Sequence, residues 1–162
     1  MDRYLYPHIK KDLSEKMVFI GGPRQVGKTT LSLQFLESGT EKHPAYLNWD
    51  SPVIKKDLLA GQLPPDQKLI ILDEIHKYKD WKSLIKGFYD LNKSDTQFLV
   101  TGSARLDYFR KGGDSLQGRY HYYRLHPLTL DEISPDCSAS QIPDLLRFGG
   151  FPEPQIKSNE TH

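Results

Sequence analysis

Eight consecutive residues constrain this chain more than any others: Gly22-Pro23-Arg24-Gln25-Val26-Gly27-Lys28-Thr29, a full match to G-x-x-x-x-G-K-[ST]. Each fixed place has a physical reason. Glycines let a loop wrap closely around an anion with no Cβ in the way. The loop's N–H groups and the positive end of the following helix then face that anion. The lysine reaches β and γ phosphates, and the last hydroxyl ligates Mg²⁺. Gly22 to Thr30 is therefore the expected cradle of a nucleoside triphosphate, ATP with Mg²⁺ being the simplest choice. With glycine near 7% of residues, chance matches arise on the order of once in a hundred chains of this length. Context weighs against chance as well. Met17-Val18-Phe19-Ile20 reads as a strand before the loop, and a helix from about Lys28 to Glu37 follows it. Leu31, Phe35 and Leu36 form the buried side of that helix, and Gly39 marks its stop.

A second motif lies further along. Lys68-Leu69-Ile70-Ile71-Leu72-Asp73 is apolar on both faces, as a central parallel strand under helices must be. It delivers Asp73 and Glu74 to the carboxyl edge of the sheet, where ligands of open α/β sheets bind. Asp73 is expected to hold Mg²⁺, and Glu74 to polarise the attacking water as general base. Ala45–Trp49 reads as a strand between the two motifs. That arrangement belongs to the P-loop class with an added strand and a catalytic glutamate, and it favours hydrolysis over transfer to another substrate. Thr101-Gly102-Ser103 follows a fourth strand, Gln97–Thr101. Either Thr101 or Ser103 suits a role orienting water between Glu74 and the phosphate; a helix-capping turn explains each equally well.

The remaining pattern alternates apolar runs with helix-like stretches, the signature of an α/β fold with a largely parallel sheet. Pro52 opens a short helix through Leu59, closed by Gly61. From Tyr78 to Leu91 apolar residues recur at helical spacing: Trp81, Leu84, Ile85 and Phe88. Tyr120–Leu125 reads as a fifth strand, with short helices around Leu128–Ile133 and Ile142–Phe148. The 162 residues suit one domain, placed at 1–154 with a tail at 155–162. The apolar runs are strand-sized, far short of the roughly 20 residues that span a bilayer. No signal peptide opens the chain, and the single cysteine, Cys137, excludes an internal disulfide. These signals point to the cytoplasm and to no membrane partner.

Charge is balanced, with 22 Lys+Arg against 21 Asp+Glu and a net charge of +1. A dedicated nucleic-acid binder shows a basic excess. Lys77, Lys79, Lys82 and Lys86 form one basic side of the Tyr78–Leu91 helix. A solvated face opposite the core stripe is the favoured reading, and a nucleic-acid contact the sharper one. Asp73-Glu74-Ile75-His76 also matches the DExH box of helicases, which need two such domains; His76 is expected to be an exposed or capping histidine. His121 and His126 stand five apart on a strand, on opposite faces, and make no metal pair.

With these residues in place, the sequence resembles an AAA+ ATPase core, closest to archaeal and bacterial predicted ATPases that carry a C-terminal domain of unknown function. The matching stretches are Arg3-Tyr4-Leu5-Tyr6-Pro7, Gly22 to Thr30, Ile71 to His76, Val100 to Ser103, Leu116 to Tyr120, Leu125 to Glu132 and Phe148 to Pro154. The resemblance implies a P-loop three-layer αβα fold with a parallel five-stranded sheet ordered 5-1-4-3-2. It implies ATP held between core and lid, in a homo-oligomer whose subunits complete each other's sites. Arg119, just before the fifth strand, stands where the family's arginine finger sits; a surface arginine paired with a carboxylate such as Asp114 is the rival reading. Tyr4, Tyr6 and His8 lie where AAA+ proteins hold adenine. Members continue past Gly149-Gly150-Phe151-Pro152 into a helical lid, whereas this chain stops at His162. The resemblance thus leaves a minimal form, a degenerate remnant and a truncated product all open. Two further readings stay beside ATP hydrolysis: a nucleotide-dependent binding module with little turnover, and a vestigial P-loop.

Overall fold

The computed structural model describes residues 3–103, 106, 116–133 and 149–153. The chain runs α1 (Tyr6–Asp12), β1 (Met17–Gly22), α2 (Lys28–Leu33), β2 (Tyr46–Asn48), α3 (Pro52–Leu59) and β3 (Leu69–Asp73). A 3-10 turn (Ile75–Lys77), α4 (Trp81–Asn92), β4 (Gln97–Ser103), β5 (Tyr120–Arg124) and a one-turn helix Leu130–Ile133 follow. The five strands are parallel and ordered β2-β3-β4-β1-β5, which is 5-1-4-3-2 read from the other side. This is the αβα sheet of P-loop nucleotide-binding proteins.

Central position explains composition. All six residues of β1 are buried, as are Ile70, Ile71 and Leu72 of β3 and Phe98, Leu99 and Val100 of β4. Each such aliphatic or aromatic side chain contributes roughly 1.5–3 kcal/mol by leaving water. Register matters more for function. Gly22 pairs with Ser103, Thr101 with Asp73, and Asp73 with Asn48. Four strands thus end together, and their last residues share one edge.

Several boundaries differ from the sequence pattern. The helix after the loop ends at Leu33 rather than near Glu37. From Gln34 onward the N–H groups bond to the third residue back (Gln34 to Leu31, Phe35 to Ser32, Leu36 to Leu33), so the coil tightens into 3-10-like turns. Gly39, at φ +59°, then closes it. Helix α1 was not expected at all, yet Leu5, Ile9 and Leu13 are buried at a four-residue spacing, a faint version of the same helical signal. Helix α4 starts at Trp81 because Ile75–Lys77 forms a separate tight turn first. The strands β1 and β4 each run on through their glycines. The helix expected around Ile142–Phe148, Asp114, and the proposed tail lie outside the described residues. No described helix is long and apolar enough to cross a membrane.

Candidate nucleotide-binding site

The loop leaves β1 at Gly22, where a Cβ would fall 2.4 Å from the Leu125 carbonyl oxygen, so only glycine fits against the exit of β5. Two later residues take left-handed backbone, Gln25 at φ 60° and Gly27 at φ 91°. Gly27 caps α2, and Val26 is fully buried beneath the loop. Lys28 is buried and donates from Nζ to the carbonyls of Gly22 (3.2 Å) and Pro23 (2.6 Å). Burial pushes its pKa down, and the carboxylates of Glu74 and Asp73 push back. A lysine so placed gains by trading two carbonyls for phosphate oxygens, since charge-assisted bonds are the stronger kind. Over it opens a cavity of about 480 Å³. Its lining is Arg24, Gln25 and Gly27 to Thr30 of the loop and helix start, with Glu74 and the distant Pro152 and Glu153.

Across the cradle sits Asp73, 4% exposed. Its Oδ2 accepts from the Tyr46 hydroxyl (2.5 Å) and the Thr29 hydroxyl (3.2 Å), and its Oδ1 accepts from Thr101. Three hydroxyls therefore satisfy a carboxylate that would be costly to bury alone. Tyr46 is pushed well above the usual tyrosine range, first by burial and then by its bond to Asp73, so it stays a donor. The Thr29 and Asp73 oxygens converge, and hard oxygen donors of this kind suit Mg²⁺.

Glu74 follows in left-handed backbone (φ 59°), its N–H held by the Thr101 carbonyl at 3.1 Å. A non-glycine residue held there costs on the order of 1–3 kcal/mol and clusters at functional positions. Its carboxylate remains about a quarter exposed and lies 3.3 Å from Lys77 Nζ. Lys77 is held mainly by Asp50, at 2.5 Å, and that bond is the largest cause of its raised pKa.

Thr101 and Ser103 divide the edge between them. Thr101 is fully buried and bonded to Asp73, whereas Ser103 is half-buried and lies 3.0 Å from His76 Nε2. The exposed or capping histidine expected at 76 is neither. Its side chain is only 5% exposed, because Gly102 leaves room for the ring against the β4 backbone.

Other expected residues stand apart. Arg119 lies at the amino-terminal end of the sheet, its carbonyl accepting from Met17 N–H, with the whole length of β1 between it and the loop. It pairs with Asp90 at 3.0 Å, and that bond holds the Asp90 carboxyl below its usual range. Tyr4, Tyr6 and His8 are absent from the described cavity lining; Tyr6 stacks on Phe35 at 4.5 Å. His121 faces Asp12 and Glu15 at 3.7 and 3.9 Å. Of the four lysines, Lys77 is committed to Asp50 and Glu74, and Lys82 lies over the Trp81 ring.

Four residues at the site carried no assigned role in the sequence. Tyr46 shares a strand face with Asn48 two residues on, a weak signal at best. Pro152 and Glu153, like Arg3, belong to stretches noted for resemblance alone. Arg3 is the largest surprise: 6% exposed, it donates to Val26 O in the loop (3.0 Å), to His126 O beyond β5 (2.5 Å) and to Glu132 (2.8 Å). Glu132 in turn accepts from Tyr4 N and Thr129 N, so the buried pair leaves no carboxylate oxygen unused. A lone arginine gives no sequence sign that it will be buried.

An open parallel sheet whose loop, buried aspartate and adjacent glutamate meet at one carboxyl edge defines a P-loop nucleotide-binding domain of the ATPase type. Comparison with known proteins makes this specific: a family model described as an AAA domain matches residues 14–134, and the chain belongs to that family. Two uncharacterized proteins, from Mycobacterium tuberculosis and Mycobacterium bovis, are each 30% identical over 146 residues. Those residues are 89% of this chain but 32% of each relative, so the chain spans about a third of their length. Among solved structures, the RuvB Holliday junction branch migration motor of Thermotoga maritima is similar, with a TM-score of 0.57 and 19% identity over 93% of this chain and 59% of that one. A STAND signal-transduction ATPase with a tetratricopeptide repeat sensor from Pyrococcus horikoshii gives 0.54 and 14% over 94% of this chain and 28% of its own. At such identities these two likenesses establish the fold.

Proposed function

We propose that this chain binds ATP with Mg²⁺ and hydrolyses it to ADP and phosphate. The observation that carries the reading is Asp73, buried between the Thr29 and Thr101 hydroxyls with Glu74 beside it on the cavity wall. In this reading the loop N–H groups and Lys28 grip the phosphates, and Thr29 and Asp73 hold Mg²⁺. The metal would supply charge neutralisation at the β and γ oxygens. Glu74 takes a proton from the attacking water, and Ser103, beside Gly22 in register, orients that water. Thr101 acts through Asp73. Arg119, remote from its own loop, acts in a neighbouring copy's site, so turnover belongs to a homo-oligomer. The nucleotide unit spans 1–154, with Pro152 and Glu153 in the lining of the site.

Phosphate release measured across protein concentration tests this. Wild type should turn over, Lys28→Ala should bind more weakly, and Glu74→Gln should bind yet stall. Turnover unchanged in Glu74→Gln sinks the assignment. A second reading, a nucleotide-dependent switch with little turnover, is favoured by one observation: Lys77 Nζ lies 3.3 Å from the Glu74 carboxylate, a pairing that competes with base duty. Binding without release by the wild type at every concentration selects it.

A further inference from the structure

His76 lies between two groups that the proposed reaction uses. Its Nε2 is 3.0 Å from Ser103 Oγ and 4.0 Å from Glu74 Oε2. The ring has little freedom to leave: a Cβ on Gly102 would fall 2.5 Å from Nδ1, so the imidazole lies flush on the β4 backbone. Each imidazole nitrogen offers one in-plane hydrogen-bonding valence, and at Nε2 Ser103 has the shorter claim on it. Ser103 in turn pairs in register with Gly22, the first residue of the phosphate loop. The Glu74 carboxylate is meanwhile held by Lys77 at 3.3 Å.

We propose that His76 is a positioning residue that relays the γ-phosphate from Ser103 to Glu74. A phosphate oxygen at the loop draws the Ser103 hydroxyl toward it. Nε2, in the tautomer that carries its proton, then turns its N–H from Ser103 Oγ to Glu74 Oε2 and competes with Lys77 for that carboxylate. The general base is thereby set for water only when a triphosphate is bound. Bonds are exchanged and no covalent step is involved. The inference rests on the ATP reading above and adds to it a residue that senses which nucleotide is present.

The test uses the 162-residue chain with Mg²⁺ and either a non-hydrolysable ATP analogue or ADP, following the ¹⁵N signals of the His76 ring by NMR. The triphosphate should move the Nε2 signal and ADP should not, and Ser103→Ala should abolish the difference. In parallel, His76→Phe should lower kcat for phosphate release, on the order of 100-fold for a misplaced base, with KM held; His76→Gln, which keeps a donor, should recover part of it. The same ring response to both nucleotides, or wild-type kcat in His76→Phe, overturns the relay while leaving ATP binding intact. Failure of the wild type to bind either nucleotide removes the ATP reading and the relay together. The wild-type spectra decide the matter even where a variant folds poorly.

Discussion

The two edges of the sheet are built differently. At the carboxyl edge the central charges are buried and bonded: Asp73 takes three hydroxyls, Lys28 two carbonyls, and Arg3 braces the loop at Val26, while Glu74, Lys77 and Asp50 around them stay partly exposed. Left-handed backbone occurs there at Gln25, Gly27 and Glu74, and at the amino edge at Asp66 and Gly118. At the amino edge the pairs are open to water, as with Arg119 and Asp90, or Asp12 with His121. Tyr123 lies between the two regimes: burial and its 2.6 Å bond to Asp12 push its hydroxyl up to about 12. The difference teaches where specificity resides. In the proposed reading one edge is over-determined because its groups must face a ligand of the same chain in fixed positions, and the other is free of that demand.

That contrast can be broken at its strongest point first. Arg3→Ala strands the Glu132 carboxylate, 3% exposed, and should cost about 3–5 kcal/mol of stability by denaturant unfolding, as for other buried pairs cut on one side. A loss under about 1 kcal/mol, the level of surface pairs, would erase the distinction between the edges. Lys28→Ala should weaken ATP binding by roughly 10- to 150-fold in calorimetry, the worth of about 1.5–3 kcal/mol for a charged bond, with the unfolding midpoint little changed. Gly27→Ala meets only ordinary van der Waals contacts, Arg3 Nη1 at 3.6 Å and Pro152 Cγ at 3.7 Å, but keeps φ at +91°, so it should destabilise by about 1–2 kcal/mol through backbone strain. Arg119→Ala should leave the unfolding midpoint where it was. Its effect belongs in the concentration dependence of turnover, and a clear drop in stability would show the amino edge to be less permissive than described.

Much of this edge was legible because its parts are local. Gly22 to Thr29 is a contiguous pattern, and the run Leu69 to Asp73 states both a buried strand and the acid it carries. The sheet order came from resemblance, while the register that aligns the strand ends was not read from the sequence. What stayed hidden is what folding assembles from afar. Tyr46 reaches Asp73 across 27 residues, and Arg3 reaches Glu132 across 129. His76 looked like a surface residue because burial depends on Gly102, on a different strand. Composition and spacing describe a segment; these contacts depend on which segments meet. The end of α2 failed for another reason, since Leu36 is buried whether the coil is α or 3-10 and periodicity does not separate them.

The Arg3 brace has a consequence in time as well as in space. A contact between positions 3 and 132 closes nearly the whole described chain into a ring, and such long closures form late. The sheet centre, β1 with β4 and β3, can assemble before it. The loop at Val26 takes support from Arg3, a residue that also bonds the chain beyond β5 at His126 O. During refolding, secondary structure should therefore return ahead of nucleotide affinity, and a partly folded chain would be a sheet without a working cradle.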